Sequence, residues 1–461
     1  MTPLAALYLR AFAEKRLFDA IGPLDAEPCR RLASALAASD VRPRQGVAVC
    51  FDNGRSCIET YIALAMLDAV AVPLPATLPD PEREALWNSL GCSVLIDANG
   101  IHQRYSGPSM EEPLWPDDVQ WVMHSSGSTG VPKAIPITYA AVETNAADVM
   151  RFLGIDGQVT HLGSMSQCYT NGLFNSFLLP LITGGKVCLG PVAGVVNLGA
   201  FRETLRAARA SVLWVNPAVV MALTRRGAAA DVAEARVLVS CTAPLDQQTC
   251  LAAEATLARP VLQSYGLVET LIVTIEHPNR SAASEFSAGQ PVSGVKSVRR
   301  RWDGQLEIEN GAVTPGYARR DGRGFAINLP EGESGRKFIA SDFVEFTSDG
   351  RLQIHGRASA VINVGGVKVS AEQLEQALRA WPGVNNAAVV PVQWGNGLER
   401  PGVMMEAIGD LDFSAIADHC VRVLGRAARP ADIRLVEEIP LTANGKIDRR
   451  ADDALMHSPP R

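Results

Sequence analysis

The nine residues Ser125-Ser126-Gly127-Ser128-Thr129-Gly130-Val131-Pro132-Lys133 combine the groups that bind phosphate. Gly127 and Gly130 free the backbone to wrap closely around an anion. The three serines and the threonine offer hydroxyl and backbone N–H donors, and Lys133 adds a mobile positive charge. The spacing is not that of a P-loop, because Pro132 precedes the lysine and Ala134 follows it. On its own the string reads equally well as a solvated turn, so its surroundings must decide. Other chemistries are disfavoured. Nine cysteines, an odd number, are scattered with no CxxC pair and no closely spaced histidines, which argues against zinc sites and disulfide frameworks. A formal net charge of −6 makes nucleic acid a poor partner.

The elements that must position this loop belong to a chain of 461 residues, longer than the roughly 250 to 300 at which one hydrophobic core stops growing. Two or more domains are expected. With 47% hydrophobic and 20% charged residues and no long polar tract, the composition is that of a folded protein. Short β-branched runs start at Gly46, Ser93, Trp121, Lys186, Ser211, Arg236 and Pro260, and alternate with helical stretches such as those starting at Leu198 and Gln247. That alternation predicts an α/β fold, with helices covering mostly parallel sheet, and the Trp121 strand leads straight into the Ser125–Lys133 loop. From about Gly289 hairpin-like segments take over, with Asp349-Gly350 as a turn, predicting a β-hairpin or barrel-like portion. After Arg357 comes a smaller α+β piece, with helices over Ser370 to Ala380 and Phe413 to Leu424 and strands at 385–392 and 433–439. The expected division is a large domain over 1–357 and a small mobile one over 358–461. The first residues read as an amphipathic helix, not a signal peptide. The most apolar stretches, Tyr61 to Pro75 and Asn171 to Ile182, fall short of the roughly 18 residues a bilayer span needs, so no membrane span and a cytoplasmic location are expected.

Further segments follow the loop in order: Tyr265-Gly266-Leu267-Val268-Glu269-Thr270, Gly289 to Gly294, Gly316-Tyr317, Ala340-Ser341-Asp342, Gly356-Arg357, Val361 to Glu372, and Pro440 to Arg450 with Lys446 inside it. Taken with the loop, they resemble the motif series of the acyl-adenylate-forming superfamily, which includes acyl-CoA synthetases, nonribosomal adenylation domains and luciferases. The resemblance covers almost the whole chain.

The resemblance implies that Ser125, Ser126, Gly127, Ser128, Thr129, Gly130 and Lys133 receive the phosphates of ATP. It implies that Tyr265 stacks on adenine beside Gly266, and that Glu269 holds Mg2+ bridging phosphate oxygens. Asp342 would accept the ribose hydroxyls, Arg357 would reach the same ribose, and Lys446 would be the catalytic lysine. Gly316-Tyr317 reads as structural punctuation. Val268 stands where the family has threonine, so a hydroxyl contact to the α-phosphate must come from Thr270 or the serine loop. Ser359 occupies the hinge position, where an Asp or Lys is usual, and Gly365 and Gly366 would leave room for a thiol channel. Tyr169, Asn171, Gly172, Cys241, Thr242 and Ala243 match segments that line the acyl pocket. No Asp stands in Ser166 to Gly172 to pair with an α-ammonium, which disfavours a free amino acid and leaves aryl, short or fatty acids. The implied reaction is activation of a small carboxylic acid to acyl-AMP, then transfer to a pantetheine thiol. Because no carrier-protein serine motif is evident, the acceptor would be coenzyme A or the phosphopantetheine arm of a separate acyl carrier protein. An acyl-AMP ligase acting on an amine, and a non-catalytic nucleotide-binding homologue, are the rival readings.

Overall fold

Buried β-branched runs form the strands expected of them. Gly46–Cys50, Val70–Pro73, Val212–Val215 and Val237–Ser240 are buried at every position, as strands covered on both faces must be. The computed structural model describes residues 2–90, 92–103, 114–125, 133–155, 159–194, 197–278, 280, 287–321, 324–328, 336–357, 360–365, 367–394, 398–440 and 447. The chain divides into two compact units, residues 1–298 with 307–338, and residues 299–306 with 339–461.

The first unit holds two eight-stranded sheets. One runs, in spatial order, Gly324–Asn328, Tyr317–Asp321, Lys133–Thr138, Val119–Ser125, Val70–Pro73, Gly46–Cys50, Val94–Asp97, Gly100–Gln103. Its middle is parallel and its edges are antiparallel hairpins. Lys133–Thr138 turns back on Val119–Ser125, so Ser125 and Lys133, the two ends of the expected phosphate loop, stand opposite each other. In the other sheet, five parallel pairs lead from Leu17–Phe18 to Val261–Leu267, and two antiparallel strands complete it.

Helices cover these sheets and are capped by their own sequence. Thr138 accepts the Ala141 N–H at 3.2 Å to open Tyr139–Leu153, and Gly154, at φ 63, closes it in the left-handed region that glycine tolerates. Asn216 does the same for Pro217–Arg225, accepting from Val219 at 2.9 Å with proline at the first turn. One core cluster joins Tyr8, Ile58, Ile62, Trp121 and Phe174, and the rings of Trp121 and Phe174 meet edge-on at 5.3 Å. Phe174 belongs to a π-helix over Asn171–Leu178, where the sequence had predicted only an apolar stretch. Its wider turn is a form frequently found at functional sites.

A four-stranded sheet runs Val295–Arg300, Gln305–Asn310, Lys337–Phe346, Leu352–Arg357. In the second unit, Ser370 accepts the Gln373 N–H at 3.3 Å and starts the helix Ala371–Arg379. Leu374 and Leu378 of that helix pack with Val389, Val403, Ile416 and Cys420. The sheet beneath consists of Val384–Trp394, Leu398–Ala407 and Asp432–Leu435. Gly365, at φ +58, turns the hairpin between Val361–Val364 and Val367–Ser370. Among the described residues no helix is long and apolar enough to cross a membrane.

Candidate functional site

Within the first unit, the structure brings together two expected site residues through a third. Lys133 is exposed at the start of its strand, and its Nζ lies 4.5 Å from the centroid of the Tyr317 ring. The Tyr317 hydroxyl donates to Glu269 Oε1 at 2.9 Å. Hydrogen bonds to a charged group contribute about 1.5–3 kcal/mol, and a cation over an exposed ring about 0.5–1 kcal/mol.

Glu269 sits on a turn whose shape is dictated by close approach. A Cβ on Gly266 would come within 2.1 Å of the Leu271 carbonyl oxygen, so only glycine fits there. Asn145, buried in the middle of its helix, donates to the Ile272 carbonyl at 2.8 Å and accepts the Ile272 N–H at 3.3 Å, pinning the strand after the turn. The Thr270 hydroxyl is fully buried and spent inside the turn, donating to the Leu271 carbonyl and accepting from Leu267 N–H. Tyr265 is 8% exposed in the preceding strand.

The donor set suits a hard cation. Among the described residues no group of three or more His, Cys, Asp or Glu is gathered, and Glu269 offers a single carboxylate whose Oε1 accepts the Tyr317 hydroxyl. Mg2+ is commonly held this way, by one or two carboxylates with waters and substrate phosphates completing its octahedron.

The expected acyl-pocket residues also meet. Burial pushes the Cys241 thiol up, while the Asn171 amide beside it and the Val215 carbonyl, 3.2 Å from Sγ, pull the other way. A Cβ on Gly172 would fall 1.9 Å from the Ser166 carbonyl oxygen, so the π-helix lies directly on the Ser166 backbone. Two residues outside the expected set fasten that segment. Asn53 donates to Met165 O at 2.7 Å and accepts Gln167 N–H at 2.8 Å, and the Tyr61 hydroxyl donates to Gln167 O at 3.0 Å. Tyr169 is half-buried, with its phenol pushed up by burial. Burial also carries the neighbouring Cys168 thiol up to about 12. Thr242 adopts φ +77, a strained backbone for a β-branched residue, next to half-buried Ala243.

In the second unit, Asp342 and Arg357 face each other across the Lys337–Phe346 and Leu352–Arg357 strands. Arg357 Nε donates to Asp342 Oδ1 at 2.9 Å, the carboxylate side chain being 5% exposed and the arginine 42%. Gly356, at φ +129, lies against the Ser370 hydroxyl, where a Cβ would approach to 2.2 Å. Residues 126–132, Ser359, Gly366 and Lys446 lie outside the described residues.

Against known proteins, the model of the AMP-binding enzyme family matches residues 26–313, more than half of the chain, and that of the AMP-binding enzyme C-terminal domain matches 373–446. The chain is 27% identical to a sulfoacetate–CoA ligase of Cupriavidus necator, over 91% of this chain and 89% of that one. It is 26% identical to an isonitrile lipopeptide synthase of Mycobacterium tuberculosis, over 92% of its own length, but spans only 18% of that much longer protein. Among solved structures, the anthranilate CoA ligase AuaEII in complex with anthranoyl-AMP superposes with a TM-score of 0.81 at 19% identity, covering 98% of this chain and 96% of that one. The amide bond synthetase McbA from Marinactinospora thermotolerans gives 0.82 at 21%, covering 98% and 100%. The chain belongs to the AMP-binding enzyme family of adenylate-forming ligases.

Proposed function

We propose that this enzyme activates a carboxylic acid with ATP, releasing pyrophosphate and forming acyl-AMP, and then passes the acyl group to the thiol of coenzyme A or of a carrier protein's phosphopantetheine. The observation that carries the reading is the Lys133–Tyr317–Glu269 cluster, a cation and an anion joined through one tyrosine at one end of the phosphate-type loop. The likeness to the sulfoacetate–CoA ligase over 89% of its length favours a thiol acceptor.

Attack of a carboxylate on the α-phosphorus brings two anions together, so the site must supply positive charge and exclude water. Lys133 draws in the phosphates with the donors of residues 125–130. Lys446 lies between the substrate carboxylate and the α-phosphate and stabilises the charge that grows as the bond to pyrophosphate breaks. Glu269 would hold Mg2+, which would supply positive charge to offset that of the phosphates. Tyr265 flanks the adenine, and Asp342 with Arg357 takes the ribose. With the Thr270 hydroxyl spent inside its own turn and Val268 lacking one, the serine loop supplies the remaining contact to the α-phosphate. The acid lies among Tyr169, Asn171, Gly172, Cys241, Thr242 and Ala243.

In the second step the thiol sulfur bonds to the acyl carbon, the bond to the AMP oxygen breaks, and the thiol proton goes to solvent. Residues 358–461 turn about Ser359 to withdraw Lys446 and present Gly365 and Gly366 to the pantetheine. The test is a screen of carboxylic acids by ATP–pyrophosphate exchange, followed by thioester assay of the active acid with coenzyme A and with a phosphopantetheinyl carrier protein. Exchange with one acid class and thioester formation support the reading. Exchange followed by amide formation without any thiol would favour an amine acceptor, and no exchange with any acid would overturn the reading.

A further inference from the structure

We propose that Tyr317 is a positioning residue that holds Lys133 and Glu269 ready for phosphate and metal while keeping the two from neutralising each other. The inference rests on the reading of Lys133 as a phosphate ligand and Glu269 as a metal ligand. One side chain serves both signs of charge. Its negative ring face lies under the Lys133 ammonium at 4.5 Å, and its hydroxyl donates to Glu269 Oε1 at 2.9 Å. Among the described residues Lys133 makes no ion pair with a carboxylate.

The chemistry explains why a tyrosine suits this place. An ammonium and a carboxylate in direct contact would cancel, and each would attract its own ligand less. A ring face leaves the cation its full charge. A neutral phenol leaves the carboxylate its charge, ties up one oxygen and directs the other toward a metal.

The backbone fixes this arrangement independently of the three side chains. Thr314 N–H donates to the Glu269 carbonyl at 2.7 Å, while the Thr314 hydroxyl donates to the Pro136 carbonyl at 2.7 Å. Ala318 pairs with Ala134 in the antiparallel ladder. The segment 314–318 is therefore fastened at once to the turn that bears Glu269 and to the strand that bears Lys133.

The test compares wild type, Tyr317→Phe and Tyr317→Leu by direct binding. Mn2+, an oxygen-seeking stand-in for Mg2+, is titrated in the presence of ATP and followed by electron paramagnetic resonance, and metal-free ATP is titrated by calorimetry. Tyr317→Phe keeps the ring and loses the donor, so Mn2+ binding should weaken roughly 10–100-fold, the usual effect of removing a ligand's supporting hydrogen bond. Its metal-free ATP affinity should stay within about twofold of wild type, since Lys133 keeps its seat. Tyr317→Leu removes both contacts and should weaken both titrations. Mn2+ binding by Tyr317→Phe equal to wild type would overturn the proposal, as would metal-free ATP affinities that do not separate the two variants. Both variants should melt cooperatively. A Tyr317→Phe chain that cannot fold would assign the residue a purely structural role and overturn the proposal too. If wild type binds neither ATP nor Mn2+, the underlying site reading falls; if wild type binds both and the variants match it, only the role of Tyr317 falls.

Discussion

Two pairs of expected site residues each set a basic side chain near a carboxylate, and the two pairs treat their opposite charges differently. Arg357 donates straight to Asp342 at 2.9 Å, across neighbouring strands, with the carboxylate almost wholly buried. Lys133 and Glu269 are instead joined through Tyr317, which meets the cation with its face and the anion with its hydroxyl. A buried carboxylate needs a direct partner, because leaving it unpaired costs more than pairing yields. On the proposed function, a direct pair could still greet the neutral hydroxyls of a ribose, whereas groups that take phosphate and metal would have to keep their charge. On that reading, the difference would separate a pair that supports the fold from a pair held open for ligands.

Four changes break or sharpen that contrast, in falling order of effect. Lys446 is proposed to stabilise the transition-state charge, so Lys446→Ala should cut acid-dependent pyrophosphate exchange about 10²–10³-fold, the usual loss for removing such a stabilising group. Thiol transfer from preformed acyl-AMP should survive; equal losses in both half-reactions would remove the special role of Lys446.

Arg357→Ala takes the guanidinium from a buried carboxylate and should lower stability by about 1–3 kcal/mol in urea unfolding, the arginine's own exposure keeping the loss below that of a fully buried pair. An unchanged midpoint would mean that the direct pair does not support the fold.

A third region lets no charge form. His161 is fully buried, neither ring nitrogen has a protein partner among the described residues, and burial holds its pKa down to about 3. Protons therefore bind the unfolded chain first. The stability from this residue is whole above about pH 6.5 and drains away as pH falls toward 3, by about 2 kcal/mol between pH 6.5 and 5. His161→Leu should flatten that part of the stability profile, and an equally steep profile would show that other groups set it.

The smallest effect is expected at Lys133→Met. Lys133 is itself exposed, so stability should change by less than about 1 kcal/mol even as ATP binding weakens. Destabilisation matching that of Arg357→Ala would erase the distinction between the two pairs.

Much of this was legible in the sequence because it was local. Apolar runs such as Val47–Val49 and Val212–Val215 read as strands from their β-branched residues, their shortness and their alternation with helical stretches, and Ser370 announces the helix that follows it. Asp342 and Arg357 meet because Gly350, at φ +79, turns one strand back upon the other, a signal visible in Asp349-Gly350. Tyr317 was not legible as a site residue, since its partner Glu269 lies 48 positions away and only the sheet order brings it beside Lys133. Nor does any local pattern announce that Asn171–Leu178 winds as a π-helix, or that Asn53 and Tyr61 clamp the segment before it. The clamp comes from hydrogen bonds between residues more than a hundred apart.

The central claim, that charges separated by Tyr317 serve one ATP and its metal, is tested most directly by calorimetric titration of the wild-type chain and Glu269→Gln with ATP, with and without Mg2+. One ATP per wild-type chain, bound more tightly with Mg2+, and loss of that Mg2+ enhancement in Glu269→Gln are the predicted results. Absence of saturable ATP binding, or an Mg2+ enhancement that survives in Glu269→Gln, would contradict the account.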